Sequence, residues 1–303
     1  MTERVDVVFD SGGVICKAYF YRPAGAVAPV PCVVMGHGFT GTRNLGLLAY
    51  AERFAEAGMA VLVFDYAHFG VSGGQPRQLI DINHQLDDYR AAISFARAHP
   101  SVDPDRVVLW GTSLSGGHVI VVAAGDPRIV AVISQIPFIG IEFRRSEQRS
   151  MRVTLQLVGA AVKDVVRGLL GRPPHLIPVF AKPGQVAVFT NPYDKSIIDV
   201  LAAHAPEWRN EVAARGLLPL LCYRPGVHAT GLAMPLLVCV AEHDTAASPE
   251  RAAAMAARAP HGQLRRYPIR HFDAYLGDWF EVMIDDQVAF LHSHLSPINR
   301  TAR

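Results

Sequence analysis

Short, mostly apolar runs alternate along the chain with longer stretches in which apolar positions recur every three or four residues. The runs at 32–35, 59–64, 107–110, 129–136 and 235–241 have the pattern of strands buried on both faces. Helical patterns lie between them at 45–57 (Leu47, Leu48, Ala51, Phe54, Ala55), 82–99 and 118–124. Gly58 and Pro100 stop the first two. Near the N-terminus, 5–9 and 14–21 alternate around Asp10-Ser11-Gly12-Gly13 and predict a hairpin. Asp103-Pro104-Asp105 reads as a turn before the strand at 107–110. After 235–241 come an Ala-rich helix at 249–259, which Ser248 can cap, and an alternating strand at 263–269. A final helix at 279–295 carries Phe280, Met283, Ile284, Val288 and Leu291 on one face.

Strand and helix in strict succession predict an α/β fold, a mainly parallel doubly wound sheet with helices on both faces. Residues 138–233 break the rhythm. A helical pattern at 142–171, carrying Arg144, Arg145, Arg149, Arg152 and Arg167, ends at Arg172-Pro173-Pro174. A Pro-rich stretch runs to Pro192, and a second helical region is expected at 197–215. An interruption of about a hundred residues is too long for an ordinary loop. It reads as an inserted, mostly helical cap that divides the core into 1–137 and 234–303. The arginines read as a solvated helix face.

Composition narrows the classes. A chain of 303 residues, half of them hydrophobic, can bury a large core. A net charge of +2 gives no basic surplus for nucleic acid. Cys16, Cys32, Cys222 and Cys239 are scattered without zinc spacing, and the thirteen histidines are dispersed, so neither metal nor cofactor is expected. The polar N-terminus lacks a signal-peptide core, and no run approaches the ~18 apolar residues of a membrane span. These features read as a cytoplasmic protein. A mean hydropathy of +0.19 allows a homodimer interface and equally an apolar cleft.

Candidate chemistry sits at strand ends. The strand at 107–110 runs into Gly111-Thr112-Ser113-Leu114-Ser115-Gly116-Gly117 and then a helix. A serine on a sharp strand-to-helix turn is held clear of the backbone as a nucleophile, and the turn needs small residues around it. Gly111 supplies one, but Ser115 stands where G-x-S-x-G has its last glycine. Ser113 is the preferred nucleophile because the turn must begin at once after Trp110; Ser115 is the rival. A serine needs a base, and the base needs an acid to fix its tautomer. Asp244 and His271 also follow predicted strands, and the C-terminal ends of parallel strands share one edge of the sheet. Asp273, two residues past His271, is the rival acid. Glu242 reads as a surface residue and Asp65 as a brace for the loop 65–74. His175, Tyr193, His204 and His228 read as surface positions with some reach toward substrate.

The order Ser113, Asp244, His271, with His37-Gly38-Phe39 before them, resembles the α/β-hydrolase superfamily, in particular its capped serine hydrolases. The segment Asp65-Tyr66-Ala67-His68-Phe69-Gly70-Val71-Ser72 is similar to that family's D-x-R-G-x-G-x-S loop, with Ala67-His68 in place of arginine and glycine. The resemblance implies an oxyanion hole from the backbone amides of Phe39 and Leu114, with His37 as an orienting hydrogen bonder and Gly38 allowing close approach to substrate. It implies a serine esterase cleaving an apolar, ester-like small molecule, either a carboxylic ester or a thioester, through an acyl-enzyme. Lactone, amide or C–C hydrolysis, acyl transfer, and cyclisation remain open with the same triad, and so does a ligand-binding role without catalysis.

Overall fold

A computed structural model describes residues 2–140 and 151–295. The N-terminal hairpin pairs β1 (Glu3–Ser11) with β2 (Val14–Arg22). Strands β3 (Val30–Gly36), β4 (Ala60–Phe64), β5 (Val102–Thr112) and β6 (Ile129–Gln135) follow. Helices α1 (Leu48–Glu56), α2 (Ile82–Ala98) and α3 (Leu114–Ala124) alternate with them. After the insertion come β9 (Leu236–Ala241), α7 (Pro249–Arg258), β10 (Gly262–Tyr267) and α8 (Gly277–Leu295). The eight strands form one sheet in the order β1-β2-β4-β3-β5-β6-β9-β10. Only the pairings of β2 are antiparallel. Helices α1 and α8 touch on one face, and α2 touches α3 on the other, which is the doubly wound arrangement expected.

The central strands are buried along nearly their whole length, as their unbroken apolar runs require. Trp110 on β5 is fully buried, stacks near Tyr50 and donates from Nε1 to Gln287 Oε1 at 2.8 Å. Asp103-Pro104-Asp105 proves to be extended backbone inside β5, because Val102 already pairs with Val30. A register shift between that pair and Cys32↔Val107 absorbs the extra residues.

The insertion between β6 and β9 contains α4 (Met151–Leu169), α5 (Pro192–Ala202) and the short α6 (Leu217–Leu220). It also contains an antiparallel ribbon, β7 (Leu176–Pro178) with β8 (Glu211–Ala213). The expected start of the first helix at 142, and Arg144, Arg145 and Arg149, lie outside the described residues. The helical region expected at 197–215 is corrected: α5 begins at Pro192 behind the N-cap Asn191 and ends at Ala202. Its tail becomes β8 because residues 211–213 pair with β7. No helix among the described residues is long and apolar enough to cross a membrane.

Candidate active site

The turn after β5 places Ser113 as expected. Its backbone is left-handed, with φ 55° and ψ −116°, a conformation that costs an L-residue energy and recurs where a side chain must be presented. Gly111 makes the turn feasible, since a Cβ there would lie 2.2 Å from the Ser115 carbonyl oxygen. Gly116 and Gly117 bring α3 against the chain after β6; a Cβ on either would meet the backbone of Pro137 or Phe138 within 3 Å.

Ser115 does not reach the site. It is fully buried, donates from Oγ to the His37 carbonyl and shares a hydrogen bond with the Tyr66 hydroxyl. A hydroxyl fits where a glycine is customary because these two buried oxygens need a partner. Ser115 therefore ties the nucleophile turn to the loop 37–41.

Two other strand ends converge on Ser113. His271 opens the turn after β10, and its Nε2 lies 3.1 Å from Ser113 Oγ. Its Nδ1 lies 2.6 Å from Asp244 Oδ2. With the neutral ring protonated at Nδ1, His271 donates to Asp244 and accepts from Ser113. Asp244 Oδ1 accepts from the amides of Ala246 and Ala247 at 2.7 and 2.9 Å, which holds the carboxylate in place. Tyr50 braces the His271 turn from below, donating to the Ala274 carbonyl at 2.6 Å. Burial draws the imidazolium of His271 down, but the charge and hydrogen bond of Asp244, then the field of Asp194, leave its pKa above the ordinary value.

Asp273 is occupied elsewhere. Its Oδ2 accepts from the Arg270 amide at 2.9 Å and its Oδ1 from the Tyr193 hydroxyl at 2.6 Å. Glu242 is exposed, 3.9 Å from Arg266. Asp65 is buried and accepts from the amides of Arg43 and Val71, so it does brace its loop.

The loop 37–41 forms the other wall. A Cβ on Gly38 would stand 3.0 Å from Ser113 Cβ and 3.5 Å from its Oγ, so glycine permits this approach. No hydrogen bond among the described residues takes up the amide of Phe39 or of Leu114. His37 is buried against Tyr66, with Nδ1 2.9 Å from the Gly38 carbonyl. Burial lowers its pKa to about 4, which keeps it neutral. Thr40, next in the loop, takes φ 52°, and its buried hydroxyl has no partner among the described residues.

The cavity over Ser113 is narrow, about 40 Å³. The core contributes Phe39, Leu45, Leu47, Phe272 and Tyr275, and the insertion contributes Phe180, Phe189, Ile198, Leu201 and Trp208. Phe180 and Phe189 stack with centroids 5.1 Å apart, and Phe189 meets Phe39 edge-on at 6.0 Å. The insertion is thus a roof. Sequence reasoning did not single out these five cap residues, because an apolar side chain under a roof looks the same in sequence as one in a core. None of His175, Tyr193, His204 or His228 lines the cavity. Asp194 was also missed. It is buried on α5, no hydrogen bond among the described residues reaches its carboxylate, and it lies within the field of His271 and Asp244. Among the described residues no group of three or more His, Cys, Asp or Glu is arranged to hold a metal.

Comparison with known proteins agrees with this geometry. A family model described as X-Pro dipeptidyl-peptidase (S15 family) matches residues 12–172. The quorum-quenching protein AidA of Acinetobacter baumannii is 44% identical over 287 residues, covering 95% of this chain and 94% of that one. The polyketide transferase af380 of Aspergillus fumigatus is 28% identical over 298 residues, covering 96% and 99%. The crystal structure of the α/β-hydrolase GrgF from Penicillium sp. superposes with a TM-score of 0.82 at 21% identity, covering 97% of this chain and 99% of that one.

Proposed function

The chain belongs to the X-Pro dipeptidyl-peptidase (S15) family and is a hydrolytic enzyme of the α/β-hydrolase type; from that premise we propose that Ser113, His271 and Asp244 are its catalytic residues and that it cleaves carboxylic esters or thioesters with an apolar acyl group. Ser113 Oγ attacks the carbonyl while His271 Nε2 takes its proton. Asp244 holds the imidazole and stabilises its charged form. The amides of Phe39 and Leu114 meet the developing oxyanion, each worth about 3 kcal/mol when so preset. His271 then protonates the leaving group and activates the water that releases the acyl group. The observation that carries this reading is the continuous chain Ser113 Oγ, His271, Asp244, at 3.1 and 2.6 Å, beneath an apolar roof.

The walls of the cavity support this substrate class. A dipeptidyl-peptidase must recognise a charged amino terminus, and no acidic side chain among the described residues lines this cavity. Aromatic and aliphatic walls instead favour a neutral, lipophilic acyl group. A second reading, acyl transfer, draws on the polyketide-transferase relative and on the same apolar cavity, where an acyl-enzyme can outlast attack by water until an alcohol acceptor enters. A panel of p-nitrophenyl esters of rising chain length, beside thioester and lactone substrates, tests the reading. Turnover that rises with apolar chain length and vanishes in Ser113→Ala supports it. Transfer onto an added alcohol with negligible release of free acid selects the second reading. No Ser113-dependent turnover of any substrate overturns both.

A further inference from the structure

Polar side chains are few in the cavity over Ser113, and most have partners inside the fold. Ser113 and His271 belong to the proton chain that ends at Asp244. His37 Nδ1 is 2.9 Å from the Gly38 carbonyl, and the Tyr275 hydroxyl shares a 2.6 Å hydrogen bond with Thr112 Oγ1. Two lining residues are left over, Thr40 and Trp208. Thr40 Oγ1 and Trp208 Nε1 are buried, and neither has a hydrogen-bond partner among the described residues. Of all the buried side-chain atoms in that condition among the described residues, these two alone belong to residues that line the cavity. Trp110 shows what the same fold does with an indole that has only packing to perform, since its buried Nε1 donates to Gln287 Oε1 at 2.8 Å. A buried donor left unpaired costs stability, and few native groups are left so.

Resting on the reading of Ser113 as the nucleophile of an ester or thioester hydrolase, we propose that Thr40 and Trp208 form a polar subsite for a neutral acceptor oxygen, an ether or carbonyl oxygen carried by the acyl group of the substrate. An indole N–H only donates, and the Thr40 hydroxyl can donate beside it, so the complementary group is an acceptor. The scissile carbonyl is not that group, because the amides of Phe39 and Leu114 meet its oxygen. The acceptor is therefore a second oxygen, further along the acyl chain. Among the described residues no Lys or Arg lines the cavity, so an anionic group would lie there desolvated and unpaired. A neutral oxygen carries no such penalty.

Both donors are held in place. Thr40 follows Phe39 directly, and its φ of 52° is left-handed, a rare and costly conformation for a β-branched residue that recurs where a ligand is gripped. Trp208 comes from the cap, in the segment between α5 and β8. Its amide donates to the Ala205 carbonyl at 2.9 Å. Gln78 Nε2, from the core, donates to the carbonyls of Arg209 and Glu211 at 3.3 and 3.0 Å and pins that segment down. An oxygen held by both groups joins the catalytic loop to the roof. In an apolar cavity a few placed polar groups set the orientation of the ligand. A site built to bond an oxygen also rejects an analogue that lacks it more strongly than an apolar wall rejects a change of size.

An ether scan tests the subsite. p-Nitrophenyl octanoate is compared with analogues in which an oxygen replaces one methylene at a time, from the third carbon to the seventh. In the wild type one analogue should exceed octanoate in kcat/KM by about ten-fold or more, after correction for spontaneous hydrolysis. The ratio of the two substrates is then read in each variant, so that a general loss of activity cancels. Trp208→Phe and Thr40→Val should each bring the ratio down by at least about five-fold, and Thr40→Ser, which keeps the hydroxyl, should preserve it. Titration calorimetry of the corresponding methyl esters with Ser113→Ala repeats the comparison without catalysis. A wild type with no preference for any analogue, as when water alone occupies the subsite, overturns the proposal, and so does a preference that persists undiminished in Trp208→Phe or in Thr40→Val. Selective binding to Ser113→Ala by a protein that turns over no ester would refute the hydrolase reading and uphold the subsite.

Discussion

Replacing Ser115 with alanine separates the two serines of the nucleophile turn by energetics. In the native fold, Ser115 Oγ satisfies two buried oxygens, the His37 carbonyl and the Tyr66 hydroxyl. The substitution leaves the carbonyl without this donor and the phenol without this partner, at a cost of about 1–3 kcal/mol. The void of one oxygen adds little. At about 2–4 °C per kcal/mol for a domain of this order, the melting temperature should fall by roughly 2–12 °C. The loop 37–41 loses one tether, so kcat should fall by a small factor while fluorophosphonate labelling persists. Ser113→Ala should do the reverse, abolishing labelling and turnover with little change in melting temperature. Differential scanning fluorimetry and active-site labelling on the same preparations read both quantities. A Ser115→Ala protein that melts like the wild type but takes no label would refute the reasoning, because its hydroxyl would then be the reacting one.

Asp244→Asn should cost about 10⁴-fold in kcat through the wrong histidine tautomer, whereas Asp273→Asn, which frees Tyr193 and the Arg270 amide, should cost only a few-fold; steady-state kinetics on one ester compares them. His271 acts as base only when neutral, and its pKa is held above the ordinary value, so activity falls as pH drops through that raised pKa. Asp194→Asn removes one field that raises it and should move the acidic limb of the kcat/KM profile to lower pH; an unmoved limb would show that Asp194 does not act on His271. The stabilisation linked to His271 is complete below the ordinary histidine pKa and disappears as pH rises through the folded value. Gly111→Ala should cost about 3 kcal/mol or more, since its Cβ would collide with backbone rather than a movable side chain, and a thermal melt of the purified variant checks it.

Ser113, Asp244 and His271 were legible because each follows an apolar strand whose end the parallel sheet aligns with the others. The core elements were legible for the same reason, burial on both faces leaving long apolar runs. What stayed hidden depends on contacts between distant segments. Strands β7 and β8 are three residues each, too short for alternation to register. The start of α5 is marked by Asn191-Pro192, an N-cap followed by proline at the first helical position, although the apolar helical spacing begins only at Ile197. The roles of Asp194 and of the cap aromatics exist only because the insertion folds back over β5 and β9. The burial of Ser115 Oγ depends on Tyr66, whose hydroxyl position no local pattern encodes.

Peptide mapping by mass spectrometry after reaction with a fluorophosphonate tests the central claim most directly. The adduct should lie on Ser113, form quickly in the wild type, slow by orders of magnitude in His271→Ala, and be absent in Ser113→Ala. An adduct on Ser115, or a folded protein that stays unmodified, would contradict the assignment of Ser113, His271 and Asp244 as the reacting unit.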